Sequence, residues 1–266
     1  MSDTILGTWR NPPLAYVVAE VGISPHYSIA QFIPAIQQSL RDLFPRTDEG
    51  IEVALAMGAS NQTTVPDRVW RLTTPDKGRG VHLSARVIAL HVTSYQEFAE
   101  FAKWLTRVLQ AVQDSGLNPF VERTGLRYID YILPSDGHQV TDYLVTGLRG
   151  ATPPGAGPLQ TAIWAATYPF DAFTVNARLV APSLPGTILP PNFGPLPLTK
   201  PSTMLAAEER SQKSQPFGII DTDCSQTLSE TFDAKNLSAK FAEMHKCVSK
   251  TFKALISDLA VKEWVK

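Results

Sequence analysis

Cysteine, long apolar runs, surplus charge and catalytic signatures are all scarce in this chain. Cys224 and Cys247 are the two cysteines, too few for a disulfide framework, so two reduced thiols in a cytoplasmic protein are expected. No apolar run nears the length of a membrane span. Met1-Ser-Asp-Thr has no basic stretch leading into an apolar core, so neither a membrane partner nor a signal peptide is expected. Twenty-four basic residues meet 25 acidic ones, for a net charge of −1. That removes the simplest argument for nucleic-acid binding and leaves room only for a local basic patch.

The usual catalytic motifs are also missing. Gly-x-Ser-x-Gly does not occur; Gly22-Ile-Ser-Pro-His and Gly58-Ala-Ser-Asn-Gln are partial echoes. There is no phosphate-binding Gly-x-x-x-x-Gly-Lys, no dinucleotide fingerprint and no His/Cys cluster with zinc spacing. No catalytic residue, metal or cofactor is therefore assigned.

What is present is an ordinary globular composition, 44% hydrophobic and 18% charged over 266 residues, enough for one large domain or two small ones. The strongest strand signal is central, at 120–133. Leu126, Tyr128, Asp130 and Ile132 fall on one face by parity, and Arg127, Ile129, Tyr131 and Leu133 on the other. Both faces are largely apolar, so the strand should be covered on both sides, with Arg127 and Asp130 needing partners. Before it the pattern reads strand 14–23, helix 29–44, strand 51–57, strand 68–74, a turn at 75–80, one long strand 81–93, then a helix from 98 to about 115. Ser94 and Glu97 fit a capping box for that helix, and Gly116 fits its C′ position. With the hairpin collapsed, this first half approaches a ferredoxin-like βαββαβ layout.

After Pro134 the character changes. Residues 153–201 hold 11 of the 21 prolines, which excludes a long helix there. Strands are expected at 159–167, 172–180, 217–224 and 226–232, an exposed polar turn at 206–216, and a last amphipathic helix over 234–260 capped by Asp233. The expected fold is α+β, with an N-terminal half (1–134) and a C-terminal half (135–266) that carries a proline-rich insertion at 182–201. A strand followed by a long amphipathic helix occurs at 81–115 and again at 217–260. Either a β-rich unit has been duplicated, or any two α+β halves look alike at this level.

Several short motifs carry a resemblance. They are Asn11-Pro-Pro-Leu14; Trp70 in a strand followed by a turn and Val81-His-Leu; Tyr95 and Phe98 at a helix start; Arg123-Thr-Gly-Leu-Arg-Tyr-Ile-Asp130; and Asp221-Thr-Asp223 before a last helix bearing His245. With these the chain resembles a sporadically distributed group of uncharacterised bacterial and archaeal proteins. The group's central motif reads Arg-x-Gly-Leu-Arg-Tyr-Ile-Asn, so Asp130 stands where the group has Asn. The resemblance implies no assigned reaction. Scattered occurrence associates such genes with mobile or genetic-conflict settings.

The candidate binding residues are Arg123, Arg127, Asp130, Asp221, Asp223 and His245. Arg123 and Arg127 share a face and could hold a phosphate or carboxylate, or could lock the central strand to a neighbour as an internal ion pair. Asp221 and Asp223 could bind Mg²⁺ or divide acid and base roles, or could form a polar strand face. His245 lies on an apolar helix face, where a carbonyl-bonded core histidine is the commoner case. His82 and His91 differ in parity within one predicted strand, which excludes joint metal binding. Arg68, Trp70, Arg71, Lys77, Arg79 and Arg86 crowd one hairpin and form the best nucleic-acid patch. The leading expectation is a non-enzymatic accessory protein that recognises a protein partner, antitoxin-like or immunity-like, and that could also self-associate. The alternatives are a nucleic-acid-binding module using the 68–86 hairpin, or a metal-dependent hydrolase or nucleotidyl enzyme using Asp221 and Asp223.

Overall fold

A computed structural model gives the fold. It describes every residue except 1–8, 10, 56–63, 152, 156, 158, 184, 185, 187, 191, 192 and 266, and gives the backbone alone at 53–55, 64 and 65. The strands are β1 (Leu14–Ile23), β2 (Arg46–Leu55), β3 (Thr64–Thr73), β4 (Arg79–Ser84), β5 (Val87–Val92), β6 (Phe120–Ile132), β7 (Ile163–Phe170), β8 (Phe173–Val180) and β9 (Gly218–Thr231). The α-helices are α1 (Ile33–Leu40), α2 (Phe98–Asp114), α3 (Ser202–Gln212), α4 (Ala234–Leu255) and α5 (Asp258–Val265).

All nine strands form one sheet in the order β2-β3-β4-β5-β1-β6-β9-β8-β7, and every neighbouring pair is antiparallel. The ferredoxin-like, duplicated layout is therefore corrected. The cause is local. Segment 81–93 is two strands, not one, because the Ser84 hydroxyl accepts hydrogen bonds from the Arg86 and Val87 amides at 3.2 Å and turns the chain back. β6 lies alongside β1, antiparallel. The later strands then add to the same sheet through β9 on β6, instead of closing a second unit.

Parity on the central strand holds, and it divides the molecule into two faces. Leu126 and Tyr128 pack with β1, α1, α2 and α4 in the main core. Ile132 joins a second cluster on the same side, with the 140–144 turn, the end of α4 and α5. On the opposite side, Ile129 and Tyr131 pack with Tyr16, with Met204 and Ala207 of α3, and with the half-buried Ile188, Leu189 and Phe193 of the proline-rich segment. Covered on both faces and paired on both edges, β6 needs the near-continuous apolar run it carries.

The helices differ from expectation in instructive places. Asp233 caps α4, accepting from the Asn236 amide at 2.6 Å, but the helix ends at Leu255 and α5 resumes at Asp258. Gly116 takes φ 79° just past α2, the left-handed conformation a C′ glycine supplies. The Ser94 capping box does not form. Glu97 is the N-cap, and Ser94 Oγ instead donates to the Gly78 carbonyl at 3.3 Å. The polar stretch expected to be a turn at 206–216 lies mostly in α3. No helix among the described residues is long and apolar enough to cross a membrane. The predicted strand 51–57 overlaps β2; its residues 56 and 57, and the partial echo at 58–62, lie outside the described residues.

Candidate functional site

The two-sided sheet separates the six candidate binding residues into two groups. Arg123, Arg127, Asp221 and Asp223 share the face beneath the proline-rich segment. Asp130 and His245 meet on the helix-covered face.

On the first face the β6–β9 register sets Arg127 opposite Asp223 and Ile129 opposite Asp221. The Arg127 fork reaches diagonally, with Nε and Nη2 each 2.7 Å from one oxygen of Asp221. Its guanidinium lies over the Phe193 ring at 5.2 Å. Arg123 donates to Glu20 at 2.8 Å and stands 3.7 Å from Asp223. Burial raises the Asp223 carboxyl above its usual range, against the pull of Arg123 and Arg127. Both carboxylate oxygens of Asp221 thus face a guanidinium, and the two aspartates are held by arginine instead of opening toward a shared cation. Among the described residues no three His, Cys, Asp or Glu side chains gather as a metal-ligand group. Arg178, opposite Asp221 across β8–β9, shares with Arg127 a shallow cleft lined also by Asn176 and Asp223.

The hairpin cations are also largely paired. Arg68 bonds Glu49. Arg71 bridges Asp48 at 3.1 Å and Glu52 at 2.8 Å, both on β2. Arg79 pairs with Glu100 of α2 at 2.5 Å and lies 4.6 Å over Trp104. Trp70 is buried under Arg68. Lys77 and Arg86 form no ion pair among the described residues. A strand pairing invisible in the sequence, β2 on β3, places three acidic residues against this patch. His82 and His91, expected on one strand at opposite parity, lie on β4 and β5 with ring centroids 6.4 Å apart. His91 is buried against Tyr16, and burial followed by His82 pushes it down to about 3.

No protein-family model matches the chain, and no curated protein matches it.

On the helix-covered face, Tyr128 and His245 meet at 3.0 Å, hydroxyl to Nδ1. Phe98 stacks flat on the His245 ring, 4.0 Å between centroids and 2° between planes. Ser249 Oγ lies 3.4 Å from Nε2. Burial, with Lys253 second, pushes His245 down to about 4, so it is a neutral imidazole at pH 7. Asp130, 5% exposed, lies on the same side. Burial first and Asp221 second hold its carboxyl well above the ordinary range. Tyr128, Asp130, His245 and Ser249 line a cavity of about 60 Å³ together with Pro12, Pro13, Val248 and Phe252.

Sequence reading singled out Asp130 and His245 but did not bring them together, and it gave Trp9 and Thr222 no role. Strand parity puts Thr222 two residues from Cys224 on one face. Placing it beside Tyr128 requires the β6–β9 register.

Proposed function

We propose that the protein is a binding protein that recognises a protein partner by accepting one of the partner's strands at the outer edge of β7. One observation carries the reading. Ile163-Trp-Ala-Ala-Thr-Tyr-Pro-Phe170 contains no charged residue and, among the described residues, pairs with β8 alone. Edge strands are ordinarily guarded by charge, proline, bulges or a covering element, because their unpaired amides and carbonyls template further pairing; β7 carries one such guard, Pro169, next to its last residue. The other edge, β2, follows that rule with Arg46, Asp48, Glu49 and Glu52. Addition of a strand supplies affinity through the backbone and specificity through alternate side chains. Trp164, Ala166, Tyr168 and Phe170 would face one side of the added strand, and Ile163, Ala165, Thr167 and Pro169 the other. The matching partner segment is extended, uncharged and small opposite the alanines. Such a partner suits an antitoxin-like or immunity role. The arginine–carboxylate pairing of the hairpin and of the Asp221–Asp223 strand favours this reading over nucleic-acid binding or metal-dependent hydrolysis.

The test uses Ala165→Lys and Thr167→Lys, two exposed edge positions. Wild type recovered from its native host should co-purify a partner that rebinds when both proteins are pure. The complex should protect β7 amides from hydrogen exchange, and either lysine should abolish binding without moving the thermal midpoint. Rebinding that survives both lysines, or β7 amides that exchange freely in the complex, would overturn the proposal. Self-association of the pure chain that the lysines abolish would also overturn it, by making a second copy the occupant.

A further inference from the structure

The cavity between β6, β9 and α4 has more unmet hydrogen-bonding capacity than a core void should. Among the described residues, Thr222 Oγ1 and Trp9 Nε1 are buried atoms with no hydrogen-bond partner. The Tyr95 hydroxyl is buried and reaches Tyr128, its hydrogen-bonding neighbour. The Asp130 carboxyl accepts no hydrogen bond and forms no ion pair among the described residues, although it is 5% exposed. Buried polar atoms are almost always satisfied, so two orphans on one small space beside a buried carboxyl call for an explanation. A buried carboxyl either stays protonated or takes a counter-charge, and burial holds Asp130 toward the protonated form while no partner is present.

The walls narrow the choice of ligand. Trp9, Tyr95, Tyr128 and Phe252 all line the cavity, and aromatic faces attract cations. Among the described residues no lysine or arginine lines it. An acid with no cation beside it among the described residues, ringed by aromatic faces, is complementary to a positively charged, largely apolar group.

We propose that this cavity binds a small organic ammonium, with its charge against Asp130, its carbon surface against the aromatic walls, and any adjoining oxygen within reach of Thr222 or Trp9. The site lies on the helix-covered face and is independent of the β7 edge, so the edge lysines leave it intact.

The other titratable groups around Asp130 are Tyr128 on its own strand, Asp221 on β9, Tyr95 ahead of α2, and His245 on α4. Burial raises both tyrosines and lowers His245 to about 4, so these three stay neutral between pH 5 and 8. Asp221 is held by Arg127 on the far side of the sheet. Burial holds the Asp130 carboxyl above its ordinary range, and ammonium binding should strengthen as pH rises and that carboxyl ionises.

The experiment is thermal unfolding with ethylammonium or tetramethylammonium chloride. 1-Propanol and tert-butanol serve as uncharged counterparts, and sodium chloride matches the ionic strength. A ligand that binds only the folded state raises the midpoint. Both ammonium ions should raise it in wild type, more at pH 8 than at pH 5, and the alcohols should not. Asp130→Asn, nearly isosteric, should abolish the rise. The pH profile of wild type tests the same point without a substitution. Equal stabilisation by the alcohols, an ammonium effect that survives Asp130→Asn or does not grow with pH, or no stabilisation by any probe would each overturn the proposal.

Discussion

Arg127 and Asp221 show why a buried pair is better understood through its loss than through its presence. Their side chains are 12% and 7% exposed and share two hydrogen bonds of 2.7 Å. Bringing two charges out of water offsets much of their attraction, so the intact pair adds little net stability. Removing one partner strands a buried charge. Arg127→Met should therefore destabilise the fold by about 3–5 kcal/mol, and Arg127→Met with Asp221→Leu should recover most of that loss. Urea unfolding of the two variants checks it. A double variant no more stable than the single would show that the cost is lost packing on Phe193, not an orphaned carboxylate. The need for a partner was readable from an arginine deep in an apolar strand. The identity of the partner was not, because Asp221 lies 94 residues away and only the β6–β9 register brings it near.

Helices show the same limit at the next scale. Where periodicity and a cap coincide, as in α4, the sequence reading and the structure agree on the start. Asp233 accepts from the Asn236 amide, one of the unpaired donors of the first turn. Asp233→Ala should cost about 1 kcal/mol, read as a shift in thermal midpoint; no shift would mean that packing of the buried stripe, not the cap, holds the first turn. For α2 the Ser94–Glu97 spacing matched a capping box, yet the Ser94 hydroxyl is drawn to the Gly78 carbonyl, a contact from a distant turn that no local window contains. For α3 the signal was absent. Met204, Ala207 and Ser211 are its buried residues, too narrow and too polar a stripe to mark a helix. The turn at Ser84–Val87 had no glycine or proline to announce it, and that one reversal decided the strand order.

Across the whole molecule, the proline-rich segment is less a free contact surface than a strap over one face of the sheet. Tyr16, on β1, is its central fastening. The Tyr16 hydroxyl accepts from the Leu196 amide at 3.0 Å and lies 3.1 Å from Nδ1 of His91, and Phe193 meets the Tyr16 ring edge-on. Further along, Thr93 Oγ1 donates to the Thr199 carbonyl at 2.7 Å, and the Ser183 amide to the Phe217 carbonyl at 2.6 Å. These contacts tie residues up to 180 positions apart, so the strap can order only once the sheet exists. Tyr16→Phe keeps the ring and removes the hydroxyl, leaving a buried amide unsatisfied at a cost of about 1–3 kcal/mol. The loss should be local: amides near Leu196 should exchange faster while those of β6 hold their protection. Acid should have the same effect in wild type. A neutral imidazole can accept the Tyr16 proton and an imidazolium cannot. His91 has its folded pKa lowered to about 3, so its contribution is full above the unfolded value near 6.5 and is lost as pH falls toward about 3. Hydrogen exchange at pH 7 and pH 4, corrected for intrinsic rates, should show strap protection falling with pH in wild type and already low in Tyr16→Phe. Uniform loss across strap and sheet together would mean that Tyr16 supports the sheet itself instead of fastening a cover to it.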